Sequence, residues 1–510
     1  MELCDKYLHE LLKINPVLND FFLKDEFESR KHIQPNIYSE DHYLKLYNLD
    51  KKYKKILEKK QEKTFYDKIL LRDIIFNMHM ETEYEIYMYM PVNYRDNLLI
   101  DYVTECRGDG YYLFKNRKDY IHFLNRLTSL PSVTKEIIKK MKNGIRNKVC
   151  LSYRTVDKMI ENIQDILKNR LYKHQLKNKL KPSNWDESVQ KYLVDHLEIF
   201  LDFLIKEYYP HTSKKIGLQS YRGGKNAYKR IIQYETLDGI TPQQVYDLGW
   251  KELKRLVKEK EKLNIHDSHK HVYHNSKDIL DDLKKIRGDL QKKIFPKYFH
   301  GKVLDKELYK IKKVSLENKH TTAYYLPGDL KGNKKGTFYI NTLKPGEINK
   351  HELYVLSLHE GIPGHHLEIS RNNQSDKPDY VKLGNTAYSE GWALYCENLG
   401  NYKNKYEYYF KLQYEILRSL RLILDTGIHY FGWDYDKCSS LMKKYLNYSD
   451  KQIERSILRY MDMPGQAITY KIGEKTFLYL RQQMVKQGHS IQDIHQIMLD
   501  IGPCPITMLI

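Results

Sequence analysis

The chain has 510 residues, 41% apolar and 30% charged, with 86 Lys and Arg against 66 Asp and Glu, the balance of a globular protein with a large core and a basic surface. A formal charge of +20 attracts polyanions or acidic peptides, yet the basic runs KKYKKILEKKQEK (51–63) and KRLVKEKEKL (254–263) interleave Lys with Glu like solvated helix faces, which argues against a nucleic-acid partner. No apolar run reaches the length of a membrane span, the N-terminus lacks a signal-peptide pattern, and six scattered cysteines form no disulfide framework or C-x-x-C knuckle, so a cytoplasmic protein with no membrane partner is expected.

No Pro/Ser/Gly-rich linker interrupts the chain. This predicts one continuous, mainly α body, read as a helical half over 1–295 and a second half over 296–510. Within the first, residues 1–70 are Lys-rich helices without an assigned role. Apolar periodicity predicts helices near 134–145, 154–170, 186–207, 242–263 and 277–294. The fourth is the clearest, because Thr241 can cap it and Pro242 fits its first turn. Residues 321–345 differ: TAYYL and GTFYINT flank a polar Gly/Lys turn, as in a β-hairpin. Further helices are expected over 350–361, 385–399, 404–432, 435–446 and 465–487. A last one starts at Ser490, with Asp493 as capping partner, and stops at Gly502-Pro503.

The second half holds LYVLSLHEGIPGHHLEISRN (353–372). In the H-E-x-x-H arrangement two histidines four apart grip one zinc and the adjacent Glu is the general base. Here the fifth position is Pro363, and His359 and His365 would point about 240° apart on a regular helix. His366 shares the face of His359 but sits about 10 Å along it. A bulge forced by Gly361, Pro363 and Gly364 would return His365 to the second ligand's place, and a bulge one residue longer would return His366 instead. The third ligand expected is Glu390, in GNTAYSEGWALYCENLG (384–400). Glu397, about 10 Å further along that helix, can only support a ligand.

LHEGIPGHHLE (358–368), AYSEGWALYCE (387–397), LDTGIHYFGW (424–433) and RYMDMPGQAITYKIG (459–473), in that order, resemble a widespread, mainly bacterial family catalogued as a domain of unknown function and regarded as candidate zinc metallopeptidases. That family is similar, distantly, to carboxypeptidase Taq and the thimet oligopeptidases. YRGGKNAYKRII (221–232) and TPQQVYDLGWKEL (241–253) extend the resemblance over most of the chain from about residue 70. It departs at Glu368, where Gln is usual, and at Ser389 and Cys396. The resemblance implies a helical body around a deep cleft, with a small β element before the metal helix and short peptides as substrates.

These readings give a zinc peptidase with one Zn2+ per chain on His359, His365 and Glu390. Glu360 is its general base. The oxyanion donor is expected from the C-terminal motif, with Tyr470 first and Arg459, Tyr460 and Lys471 beside it. His366, or a pair formed by Asp425 and His429, would contact substrate or orient a ligand. GTFYINT is read as an exposed edge for an extended peptide, and Arg421 or Arg459 as a capture point for a C-terminal carboxylate. Two other readings remain: a zinc amidase or esterase on small molecules, and a non-catalytic basic polyanion-binding protein with a degenerate metal site.

Overall fold

Helices make up 69% of the chain and strands 3%, a mainly α protein. The computed structural model describes every residue except 1, 84–85, 174–178, 266–270, 302–307, 315–321, 329 and 331–334. The chain forms two compact units. Among the described residues, no helix is long and apolar enough to cross a membrane.

The first unit comprises Met1–Ala227 with Pro378–Tyr380 and Gly432–Asp434. Its core is aromatic. Trp185 stacks on Phe123 at 5.7 Å and meets Tyr120 edge-on at 5.3 Å, geometries that the ring quadrupoles favour. The Lys-rich helix Glu40–Lys59 buries Leu49, Tyr53 and Leu57 and leaves Lys51, Lys52 and Lys55 exposed. That is an amphipathic surface helix, and buried Asp50 accepts from the Tyr7 hydroxyl at 2.6 Å.

The second unit comprises Tyr228–Lys377, Val381–Phe431 and Tyr435–Ile510. After the helix Gly224–Glu235, in which this unit starts, comes α1 (Pro242–Glu261), where Thr241 and Gln244 form the expected capping box. A sheet follows, of strands β1 (Lys310–Lys313), β2 (Ala323–Leu326) and β3 (Thr337–Ile340), in the order β1-β3-β2. β2 and β3 are antiparallel. Part of the expected hairpin turn, 329 and 331–334, lies outside the described residues. β3 is not the free edge that GTFYINT suggested, because β1 pairs along its other side, parallel, from Lys310↔Thr337 to Lys313↔Ile340. KIKK carries too little apolar character to read as a strand, so the position of β3 was hidden.

Five further helices build the site: α2 (Glu352–Glu360), α3 (His365–Gln374), α4 (Thr386–Glu397), α5 (Lys405–Thr426) and α6 (Asp450–Asp462). A seventh, α7 (Thr469–Lys486), packs on α4. The two cross so closely that a Cβ on Gly391 would lie 2.5 Å from the Gly473 Cα. Only a pair of glycines allows that approach. α2 is apolar on nearly every side and is buried from Leu353 to His359 apart from Tyr354, as a helix without a polar face must be.

Candidate metal centre

The chain does not bulge at the proline-containing stretch; it breaks. α2 ends at Glu360 and α3 starts at His365, with Gly361–Gly364 turning between them. A Cβ on Gly364 would meet the His359 carbonyl oxygen at 1.9 Å, so this doubling back needs glycine. The turn is held from α4, where Trp392 Nε1 donates to the Pro363 carbonyl at 2.9 Å and Cys396 Sγ to the same oxygen at 3.4 Å. Spacing alone did not expose that role for Trp392 and Cys396, although their four-residue separation places both on one face.

The break brings the rings of His359 and His365 to 4.9 Å, nearly perpendicular. Glu390 approaches from α4, whose N-terminus is capped by Asn385 accepting from Tyr388 N at 3.0 Å. Its Oε2 lies 3.5 Å from His359 Nε2 and 3.4 Å from His365 Nε2. One donor atom from each residue falls within 4.8 Å of the others.

These distances fit a metal better than they fit hydrogen bonds. Glu390 Oε2 is buried and makes no hydrogen bond among the described residues. Ligand atoms at tetrahedral corners of a zinc with bonds of about 2.0–2.2 Å stand about 3.3–3.5 Å apart. Two imidazole nitrogens and one carboxylate oxygen are also a donor set that zinc takes in hydrolases, with a fourth position left open. The three groups are strongly coupled through their charges. Burial opposes charge on His359, but the carboxylates of Glu390 and Glu397 outweigh it and lift the imidazole to about 9. Glu390 is held well below the usual carboxylate range, against its burial, by the two histidines.

Glu397 completes the arrangement. Its Oε1 accepts from His359 Nδ1 at 2.9 Å, which fixes the proton on Nδ1 in the neutral ring and leaves the Nε2 lone pair toward Glu390. The roughly 10 Å of helix between Glu390 and Glu397 is thus bridged by one imidazole. His365 lacks such support: its Nδ1 is buried without a hydrogen-bond partner among the described residues, and so are both oxygens of Glu368, one turn later on α3. Burial pushes Glu368 up to about 7, with His365 and Ser389 pulling down. Glu360 ends α2 beside His359, and its charge is among those that raise His359.

His366 points elsewhere than the ligand cluster. Its Nδ1 lies 2.9 Å from the Tyr325 hydroxyl of β2 and 3.2 Å from Ser370 Oγ, so His365 is the histidine that joins His359. The expected Asp425–His429 pair does not form. Asp425 Oδ1 accepts from the Tyr228 hydroxyl at 2.6 Å and from Gly465 N at 3.0 Å, Oδ2 has no hydrogen-bond partner among the described residues, and His429 Nε2 donates to the Tyr460 carbonyl at 2.7 Å. Both brace the turn before α7, because buried carboxylates and imidazoles take whatever backbone partner is in reach. Lys471 is likewise drawn into a buried ion cluster, 2.6 Å from Glu474 and 3.1 Å from Glu415. These two carboxylates raise its pKa against burial, and it offers no donor to the cluster at His359. Tyr460 is buried and serves through its carbonyl. Tyr470 and Arg459 do meet: Arg459 Nη2 donates to the Tyr470 hydroxyl at 2.8 Å and to Gln466 Oε1 at 2.6 Å. Arg459 also feels the charge of Glu390.

The family described as "Bacterial protein of unknown function (DUF885)" matches residues 109–510. The chain belongs to this family. No curated protein matches it. Solved structures share the fold, two of them over almost the whole chain. One is a "putative lipoprotein" from Colwellia psychrerythraea, at 20% identity and a TM-score of 0.85, over 99% of this chain and 97% of that one. The other is a "putative lipoprotein of unknown function" from Shewanella oneidensis, at 16% identity and a TM-score of 0.75, over 99% and 98%. At these identities the likeness speaks for the fold alone. The DUF885 match spans the whole cluster from His359 to Tyr470.

Proposed function

We propose that this DUF885 protein is a zinc-dependent peptidase acting on short peptides, with one Zn2+ per chain. The observation that carries the reading is the convergence of His359, His365 and Glu390, one ligand atom from each within 4.8 Å of the others, with Glu390 Oε2 3.5 and 3.4 Å from the two Nε2 atoms, Glu360 adjacent and Glu397 behind. Zinc, when bound, supplies the Lewis acidity that acidifies a water and polarises a scissile carbonyl. The remaining work falls to the chain. Glu397 keeps His359 in the ligating tautomer. Glu360 takes a proton from the attacking water and passes it to the departing amine. The Tyr470 hydroxyl, already accepting from Arg459, keeps its own proton to donate to a developing oxyanion. The edge for pairing with an extended substrate passes from β3 to β2, whose Tyr325 reaches His366 on α3.

Elemental analysis of purified protein, followed by cleavage of a mixed peptide library, tests the proposal. The expected result is about one zinc per chain, lost in His365→Ala and Glu390→Ala and kept in His366→Gln. New peptide ends should appear with wild type and not with Glu360→Gln. Failure to retain zinc under gentle purification would overturn the reading. Stoichiometric zinc without peptide cleavage would move the chemistry to small amides or esters.

A further inference from the structure

α5 carries two arginines three residues apart inside the apolar run ILRSLRLIL (416–424). Arg418 and Arg421 therefore share a face, and they are only 6% and 8% exposed. A guanidinium offers donors on every edge and accepts nothing. In Arg421 both Nε and Nη1 are buried without an acceptor among the described residues, and the same two atoms of Arg418 are in the same condition. Folded chains seldom leave buried charged donors unmatched, because the water lost on burial has to be replaced by some acceptor.

The surroundings are short of negative charge. Arg418 Nη2 stands 3.4 Å from Glu397 Oε1, an oxygen already holding His359. Glu352, half-buried, accepts from the Tyr414 hydroxyl, and the Tyr414 ring lies under Arg418 at 4.7 Å. Arg421 lies 4.3 Å over the Tyr470 ring and Arg459 5.6 Å from the same ring. Three guanidiniums thus gather around Tyr470 and Glu397, and Arg418 is one carboxylate removed from the metal-ligand candidate His359. Buried guanidinium donors without acceptors are what an incoming anion would match. Successive residues of an extended peptide advance by only about 3.3–3.6 Å, so the terminal carboxylate of a peptide lies within about one residue of the bond that a carboxypeptidase cuts.

We propose that Arg421, with Arg418 beside it and the Tyr470 ring beneath, receives the free C-terminal carboxylate of the substrate, so that the enzyme is a carboxypeptidase and trims peptide ends. The proposal rests on the peptidase reading above. Its anion site is nevertheless testable without hydrolysis.

Full-length protein stripped of metal is dialysed to equilibrium against a pool of N-acetylated tripeptides, offered once as free acids and once as C-terminal amides. The zinc-loaded protein is then assayed for cleavage of both pools. Free acids should bind about 100-fold or more tightly than amides, since an amide leaves buried guanidinium donors unmatched. The same preference should appear in kcat/KM, and Arg421→Met should abolish it mainly through KM. The acid-versus-amide comparison on wild type needs no variant, so a misfolded Arg421→Met would not spoil it. Equal binding of acids and amides, or of neither, overturns the carboxylate site. Cleavage without acid preference removes the carboxypeptidase assignment and leaves the peptidase; acid-selective binding without cleavage by the zinc-loaded protein does the reverse.

Discussion

Glu390 reaches its place because the helix that carries it crosses α7 at two glycines, and this can be perturbed without touching a ligand. In Gly391→Ala the new Cβ would lie 2.5 Å from the Gly473 Cα and 2.6 Å from its carbonyl carbon, and in Gly473→Ala it would lie 2.2 Å from the Ala387 carbonyl oxygen. All three obstacles are backbone, which cannot swing aside as a side chain can. The helices have to separate by about half an ångström or more before even the shortest tolerable Cβ contact is restored. Metal ligands tolerate errors of about 0.2 Å, and Gly391 adjoins Glu390. Each substitution is therefore expected to cost about 1–3 kcal/mol through overpacking and to weaken zinc about 10- to 100-fold, as displaced supporting groups do. Chelator competition measures the affinity and thermal unfolding the stability. Gly288→Ala is the control, on the helix Ser276–Asp289, where a Cβ would meet nothing within 4 Å; it should leave zinc affinity unchanged. Wild-type zinc affinity in both Gly391→Ala and Gly473→Ala would refute the claim that this crossing places Glu390.

Two further expectations concern groups behind the site. Glu397→Gln can still accept at His359 Nδ1 but no longer raises the imidazole's basicity, so chelator competition should show zinc bound about 10-fold more weakly; unchanged affinity would strip Glu397 of its orienting role. Burial lifts Asp425 to about 7, from the ordinary 3.8, against its bonds from Tyr228 and Gly465. A carboxyl raised on folding binds its proton more tightly when folded, so its contribution to stability is complete below about pH 4 and drains away as pH rises through 7. Asp425→Asn removes that loss, and its stability relative to wild type should improve by on the order of 2 kcal/mol between pH 5 and pH 8. Denaturant unfolding at the two pH values would expose a flat difference, which sinks the assignment. His429, lowered to about 4 by burial, loses its contribution as pH falls through 6.5 to 4, and it does so in both proteins, so the difference isolates Asp425.

The helical frame was legible because its signals are local. Thr241–Gln244 caps α1 and Ser490–Asp493 opens the last helix, each a contact spanning three residues that periodicity and capping chemistry can supply. The candidate cluster was legible for another reason: a lone histidine or glutamate on a helix is usually structural, but H-E, then G-H-H, then Glu390 at a distance that leaves room for a turn and an antiparallel return is a rare combination. What stayed hidden depended on partners far away in the chain. A spacing argument could ask whether one helix might bulge, but only the tertiary structure shows Trp392 and Cys396 holding the Pro363 carbonyl so that the helix ends and restarts. β1 was invisible because a four-residue Lys-rich strand owes its existence to β3, with no preference of its own to announce it.

The misplaced roles follow one physical rule. Asp425, His429 and Lys471 are chemically able to serve a metal or an oxyanion, and so they drew functional readings. Burial then committed each to the nearest donor, acceptor or opposite charge, since an unmatched polar group in a core costs more than any one alternative pairing gives back. The same rule is only partly met at Arg418 and Arg421: Arg418 pairs with Glu397, yet each arginine keeps two buried nitrogens without an acceptor among the described residues. A residue that could be functional but is tied to a nearby backbone group or opposite charge is holding the structure together. On the proposal above, the partner that the buried arginine donors lack comes with the substrate, and the acid-versus-amide comparison asks whether that partner is the end of a peptide.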